Sequence, residues 1–237
     1  MPGLDTNTKL LLHFNGADGS TVFTDESAGN HTVTAGATAQ IDTAVKKFGT
    51  GSLLLDGNSD YLTIPDHTDW NFGAGDFTID FWVNFTVATG IGSFYFQGYD
   101  VDNWIGLYGR SNYMSFVCHS GGLQLVSYAS TSLSAGTNEW HHIALVRNGT
   151  SLKIYQDGIS LALMVTNAIG SQTLPDYNTL LHIGDNTMYG HLLNGQTDEF
   201  RISKGIARWT SNFTPPTAEY DSSMLSSYNK RYRIINT

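Results

Sequence analysis

A chain of 237 residues that is 41% hydrophobic and 14% charged, with 25 glycines and 12 each of tyrosine and phenylalanine, suits one large all-β unit joined by tight turns. Its net charge of −9 speaks against a nucleic-acid partner, because phosphate tracking draws on clustered Lys and Arg, and the 12 present are spread along the chain. No apolar window approaches the ~18 residues of a membrane helix, so no membrane partner is expected. The N-terminal apolar run is too short to direct Sec export.

In chain order, residues 9–14 (KLLLHF) read as a first strand ended by turns at Asn15–Gly16 and Asp18–Gly19. A polar loop follows around Asp25 to Asn30. Residues 52–55 form an apolar strand, and an Asp56–Gly57 turn leads to a short strand over 61–64 that Pro65 ends. From 77 to 85 the alternation is clean. Phe77, Ile79, Phe81, Val83 and Phe85 share a core face, and Thr78, Asp80, Trp82 and Asn84 share the other. Strands over 92–97, 104–108, 113–119 and 123–128 keep the spacing of a sandwich. Ile143, Leu145, Arg147 and Leu152, Ile154 flank an Asn148–Gly149 hairpin. After a strand over 180–183, the stretch 197–209 (TDEFRISKGIARW) reads as a closing strand in which Phe200 and Ile202 alternate with Arg201 and Ser203, then as a helical turn over 204–209.

Several chemistries are poorly served by these residues. Glu occurs only at 26, 139, 199 and 219, so no strand supplies the paired carboxylates of glycoside hydrolysis, and Asp80 alternates with Thr78 and Trp82 rather than with a second acid. There is no G-x-S-x-G elbow and no H-E-x-x-H helix. His141 and His142 point to opposite faces of one strand, and the other histidines lack ligand spacing, so all read as structural. Cys118, in SFVCHS, reads as a small buried hydrophobe. Residues 99–110 (YDVDNWIGLYGR) do carry a binding mixture. Tyr99, Trp104 and Tyr108 offer rings for the apolar face of a pyranose, and Asp100, Asp102, Asn103 and Arg110 offer partners for its hydroxyls. Asp80, Trp82 and Asn84 make a second such set. Trp140 and Trp209 read as core or latch residues, and Trp70 as a loop anchor.

The series LLLHFNGADGSTVFTDES, KFGTGSLLLDGNSDYLTIP, FTIDFWVNF, WHHIALVRNG, IYQDG, LHIG and DEFRISKGIARWTSNFTPP resembles the laminin G-like branch of the concanavalin A-like lectin/glucanase superfamily. The resemblance implies an all-β, two-sheet antiparallel jelly roll over residues 1–220. The remaining tail, 221–237, is expected to serve attachment or an oligomer contact. The glucanase branch's Glu-x-Asp-x-Glu strand is absent, which implies a non-catalytic module. Relatives often hold a structural Ca2+, and by resemblance its ligands are the Asp198 side chain with backbone carbonyls near Asn15 and Gly51, oxygens of the kind calcium takes. The resemblance extends to lectin-like bacteriophage proteins. It implies a virion-surface or extracellular location, with glycans or host surface polysaccharide, other virion proteins and further copies of the chain as partners. The alternatives are a purely structural decoration protein without sugar affinity and an accessory domain of a glycan-active enzyme.

Overall fold

The computed structural model describes residues 4–86, 92–110, 112–186 and 188–220. In chain order the strands are β1 (Thr8–Leu12), β2 (Val22–Phe23), β3 (Val33–Gly36), β4 (Gln40–Asp42), β5 (Ser52–Asp56), β6 (Tyr61–Ile64), β7 (Phe77–Phe85), β8 (Gly92–Asp100) and β9 (Asn103–Arg110). They continue with β10 (Tyr113–Ser120), β11 (Leu123–Ser130), β12 (Trp140–Asn148), β13 (Ser151–Gln156), β14 (Ile159–Ser160), β15 (Leu163–Asn167), β16 (Leu181–Gly184) and β17 (Asn194–Lys204). Among the described residues no helix is long and apolar enough to cross a membrane.

Two antiparallel sheets result. The eight-stranded sheet runs β14-β13-β12-β7-β17-β5-β4, with β1 against β17, and the nine-stranded sheet runs β15-β11-β10-β9-β8-β16-β6-β3-β2. The inner faces meet in a core that the strand alternation dictates. Phe81 of β7 stacks on Phe94 of β8 at 4.6 Å and on Phe200 of β17 at 5.5 Å, geometries that add about 0.5–1.5 kcal/mol each to simple area burial. The β12–β13 hairpin closes through Gly149 and Thr150, since Asn148 pairs with Ser151. Gly149 takes the positive φ of 58° that a first central turn position demands.

The closing strand departs from the simple alternation. Asp198 pairs with Trp82 and Arg201 with Asp80, so Glu199 and Phe200 together oppose one residue of β7. This β-bulge sets Glu199 at φ 52° and lets Asp198 and Arg201 share the outer face while Phe200 and Ile202 stay in the core.

Two further corrections concern strand ends and edges. Lys204 to Trp209 makes no helical turn, because Gly205 reverses the chain at φ 82° and its N–H donates to the Asp76 carbonyl at 2.8 Å. β2, β3, β4, β14 and β15 were not legible, being two to five residues long and largely polar or exposed. They hold position by pairing on the strong central strands rather than by a pattern of their own.

β7 is buried on both faces, so something covers its outer side. The segment after β17 does so. Trp209 stacks on Phe213 at 4.1 Å, Phe213 lies against Tyr155, and Arg208 reaches Asp5 at 2.9 Å. Gly158 is where the strap crosses closest, since a Cβ there would strike the Phe213 carbonyl. The expected attachment tail 221–237 lies outside the described residues.

Candidate functional site

The outer face of the nine-stranded sheet is covered differently. On β9, Ile105 and Leu107 enter the core while Trp104, Tyr108 and Arg110 face outward. On β10, Phe116 and Cys118 go inward while Val117 and His119 face out beside them. Gly106 lies between the two outward rings, where a Cβ would sit 3.3 Å from the Tyr95 carbonyl and 3.5 Å from the Trp104 ring. Trp104 stacks flat on His119 at 5.0 Å, backed by Phe96 at 6.1 Å, and its Nε1 donates to the Val101 carbonyl at 3.2 Å.

The segment between β16 and β17 folds over this surface. It is tied to itself by hydrogen bonds from Tyr189 and His191 N–H to the Asn186 carbonyl, and it turns at Gly190, φ 64°. Tyr189 comes 5.3 Å from Trp104, and His191 stacks on Tyr108 at 5.0 Å. Between sheet and segment lies a cleft of about 510 Å³ lined by Trp104, Tyr108, Arg110, His119, Gln124 and the Tyr189 to His191 corner, a volume in the range of small-molecule sites.

The electrostatics of the cleft are simple. Arg110 is the one Lys or Arg in the lining, which contains no carboxylate. Burial lowers the pKa of both His119 and His191, the latter further lowered by the Arg110 charge, so both rings are neutral at neutral pH. Burial raises Tyr108, keeping its hydroxyl protonated. The Nδ1 of His191 is buried without a protein hydrogen-bond partner. The cleft thus offers aromatic faces, neutral donors and acceptors, and a guanidinium. It has no acid–base pair.

The residues expected to bind separate into two groups here. Trp104, Tyr108 and Arg110 line the cleft, Trp104 as its floor at 4% exposure rather than as an open platform. Tyr99, Asp100, Asp102 and Asn103 instead build the β8–β9 turn. Asp100 Oδ1 accepts from Asp102 N–H and Asn103 Nδ2, both at 2.9 Å, Asn103 Oδ1 accepts from Gly121 N–H, and Tyr99 projects outward at 62% exposure. His119 was legible as an outward position of β10. Gln124, Tyr189 and His191 carried no signal, because they join the site only through the fold-over.

Burial denies the second set any ligand-facing surface. Asp80 forms a two-point ion pair with Arg201 at 3.0 and 3.1 Å and accepts from the Tyr220 hydroxyl. Trp82 lies under Lys47, whose Nζ is 3.9 Å from its ring centre, and Asn84 is 3% exposed. The strap after β17 and the loop before β5 cover these three residues, a cover that strand alternation does not encode.

The calcium expectation places Asp198, Asn15 and Gly51 together, and the fold does bring their segments close. Their oxygens, however, face donors. Asp198 Oδ2 accepts from the N–H groups of Lys47 and Phe48 at 2.9 and 3.0 Å, and its Oδ1 accepts from Glu199 N–H. Asn15 Oδ1 accepts from Thr50 N–H, while its Nδ2 donates to Glu219 at 2.6 Å. Burial, with the Glu199 charge, pushes the Asp198 carboxyl up to about 7. Gly51 is required for space, since a Cβ would lie 3.0 Å from the Phe14 carbonyl. A hard cation needs lone pairs converging on one point, and both Asp198 oxygens are turned to N–H donors instead, so this carboxylate as arranged does not present itself to calcium.

Two face-to-face antiparallel sheets with a loop-walled cleft on one outer face define a jelly roll of the lectin type. Residues 56–208 match the Laminin_G_3 family model, of the concanavalin A-like lectin/glucanases superfamily, and the chain belongs to that family. No curated protein matches the sequence. Among solved structures, the chain is similar to domain 4 of AbnA, a GH43 extracellular arabinanase from Geobacillus stearothermophilus, solved in complex with arabinotriose (TM-score 0.62, 19% identity, covering 85% of this chain and 94% of that one). It is also similar to the binding domain of botulinum neurotoxin DC, solved with rat synaptotagmin II (TM-score 0.57, 14% identity, 95% of this chain and 51% of that one). The serotype G binding domain gives a TM-score of 0.60 at 14% identity, with 95% and 51% covered. The chain spans about half the length of these toxin domains.

Proposed function

We propose that this chain is a non-catalytic glycan-binding module and that the sugar sits in the cleft between β9, β10 and the Tyr189 to His191 corner. The observation that carries the reading is the composition of that cleft: rings from Tyr108, Tyr189 and His191 around one guanidinium, with no carboxylate in the lining. Aromatic faces suit the apolar side of a pyranose, and neutral imidazoles with Gln124 and Arg110 suit its hydroxyls. The complex of the similar arabinanase domain with arabinotriose supports the reading at the level of the fold. A location on a virion or another extracellular surface is the setting in which a shallow site gains from avidity, each added copy raising effective concentration.

Titration of the full chain against a glycan panel tests this. Binding is expected, weakened about tenfold by Tyr108→Ala, a loss of about 1.4 kcal/mol. No binding to any glycan at millimolar concentration overturns the proposal and leaves the structural-decoration reading.

A further inference from the structure

The histidines that looked unrelated in sequence form a cluster at one end of the nine-stranded sheet. β3 pairs with β6 antiparallel, Thr34 against Thr63. The loop entering β3 therefore emerges beside the loop leaving β6. The first carries His31, and the second carries His67 and Asp69.

We propose that His31, His67 and Asp69 bind a divalent transition-metal ion of borderline softness, with Zn2+ as the type. Asp69 Oδ2 lies 3.2 Å from His31 Nε2 and 3.1 Å from His67 Nδ1, and one ligand atom from each of the three lies within 4.8 Å of the others. Tetrahedral zinc with bonds of 2.0–2.1 Å sets its ligands about 3.3 Å apart, so the cluster is already near the required spacing. Two imidazoles and one carboxylate favour this class of ion over calcium, which wants six to eight oxygens.

The hydrogen bonding at His67 points to a cation independently. Its Nδ1 accepts from the Asp69 N–H at 3.2 Å, so that nitrogen presents a lone pair. The same lone pair faces the Asp69 carboxylate oxygen at 3.1 Å, acceptor against acceptor. A proton on Nδ1 would relieve this contact only by giving up the backbone bond. A metal ion held by both atoms relieves it as well, taking the same lone pair and likewise releasing the Asp69 N–H.

The surroundings hold the ligands in place. Asp25, itself buried, accepts from the His31 N–H at 2.8 Å. The Trp70 ring lies 4.8 Å from the His31 ring, and Trp70 Nε1 ties the second loop to the Pro65 carbonyl at 3.0 Å. Gly29 is where a Cβ would collide with the His31 imidazole. Such support is what sets ring orientation at metal sites. The His67 side chain is 49% exposed, which gives the ion a path in and leaves a coordination position for water.

Zn2+ titration of the full chain, first stripped with chelator, tests the proposal by calorimetry and by melting midpoint. We expect about one equivalent bound and a raised midpoint, since a ligand of the native state stabilises it by mass action. Ca2+ should raise nothing. His67→Ala, at an exposed position, keeps the fold and should weaken Zn2+ binding about tenfold or more, as should Asp69→Asn. His13→Gln, in the separate His13, Glu199 and Glu219 group, should leave it unchanged. Absence of stoichiometric uptake at micromolar Zn2+ overturns the proposal, as does uptake that both His67→Ala and Asp69→Asn leave intact.

Discussion

The two outer faces of this sandwich are built from the same kind of strand and end in opposite states. On the eight-stranded sheet, Asp80, His142 and Arg201 are buried under Trp209, Phe213 and Tyr220, Trp82 lies under Lys47, and Asn84 is buried beside them. On the nine-stranded sheet, Trp104, Tyr108 and His119 are met by the short Tyr189 to His191 corner, which leaves a cleft. Outward polar and aromatic residues are common to both. What differs is the length of chain that returns across them, and that difference closes one face and leaves a cleft on the other.

The largest effect should come from breaking the sealed face at its ion pair. Arg201 and Asp80 are both at 0% exposure, and removing one partner of such a pair costs about 3–5 kcal/mol because the other charge stays buried. Asp80→Asn is therefore expected to lower stability by that order in denaturant melts. A change below about 1 kcal/mol would mean that the strap lifts and lets water reach Arg201.

The sealed face also holds two carboxylates of opposite temper. Burial works to raise Asp80, but Arg201, with His142, holds it down to about 2. The stability it brings is thus present above the unfolded value near 3.8 and is lost as pH falls through about 2. Asp198 has backbone N–H partners, and burial pushes it up to about 7. The fold holds that proton more tightly than the unfolded chain does, so its contribution is full below about 3.8 and is lost as pH rises through about 7, about 4 kcal/mol in all. Unfolding free energy should fall between pH 4 and pH 7, and Asp198→Asn should flatten the slope. An unchanged slope in that variant would remove Asp198 as the cause.

A smaller step tests the strap itself. Tyr220 donates its hydroxyl to Asp80, and its ring lies 3.7 Å from the Arg201 guanidinium carbon. Tyr220→Phe keeps the ring over Arg201 and removes one charge-assisted hydrogen bond, an expected loss of about 1.5–3 kcal/mol. A loss as large as that of Asp80→Asn would show that the hydroxyl, and not the cover, holds the face closed.

Legibility in the sequence follows the same division. Phe77 to Phe85, the Asn148 hairpin and the Phe200–Ile202 pair were readable because period-2 alternation reports which side of a strand is apolar. Asp80 and Trp82 read as candidates, as Trp104 and Tyr108 did, from their residue types, and neither residue type nor alternation says what lies over an outer face. The cover over Asp80 comes from more than 120 positions downstream, through contacts such as Phe213 N–H to the Gly158 carbonyl that leave no local pattern. His31 and His67 have no ligand spacing along the chain, whereas β3–β6 pairing brings them together across the sheet. The Glu199 bulge was equally invisible, because its positive φ is imposed by pairing on both sides and not by the residue.

The open face should respond least in stability and most in binding. Arg110 is exposed at the end of β9, so Arg110→Ala is expected to change unfolding free energy by less than about 0.5 kcal/mol. Its effect belongs to ligand capture. As the one Lys or Arg among the residues lining the cleft, it should weaken an acidic glycan more than a neutral one, with the difference shrinking as salt screens the charge over about 10 Å. Equal loss for both ligands at every salt concentration would reassign Arg110 from charge recognition to plain packing against His191, and would leave the rings as the whole of the site's selectivity.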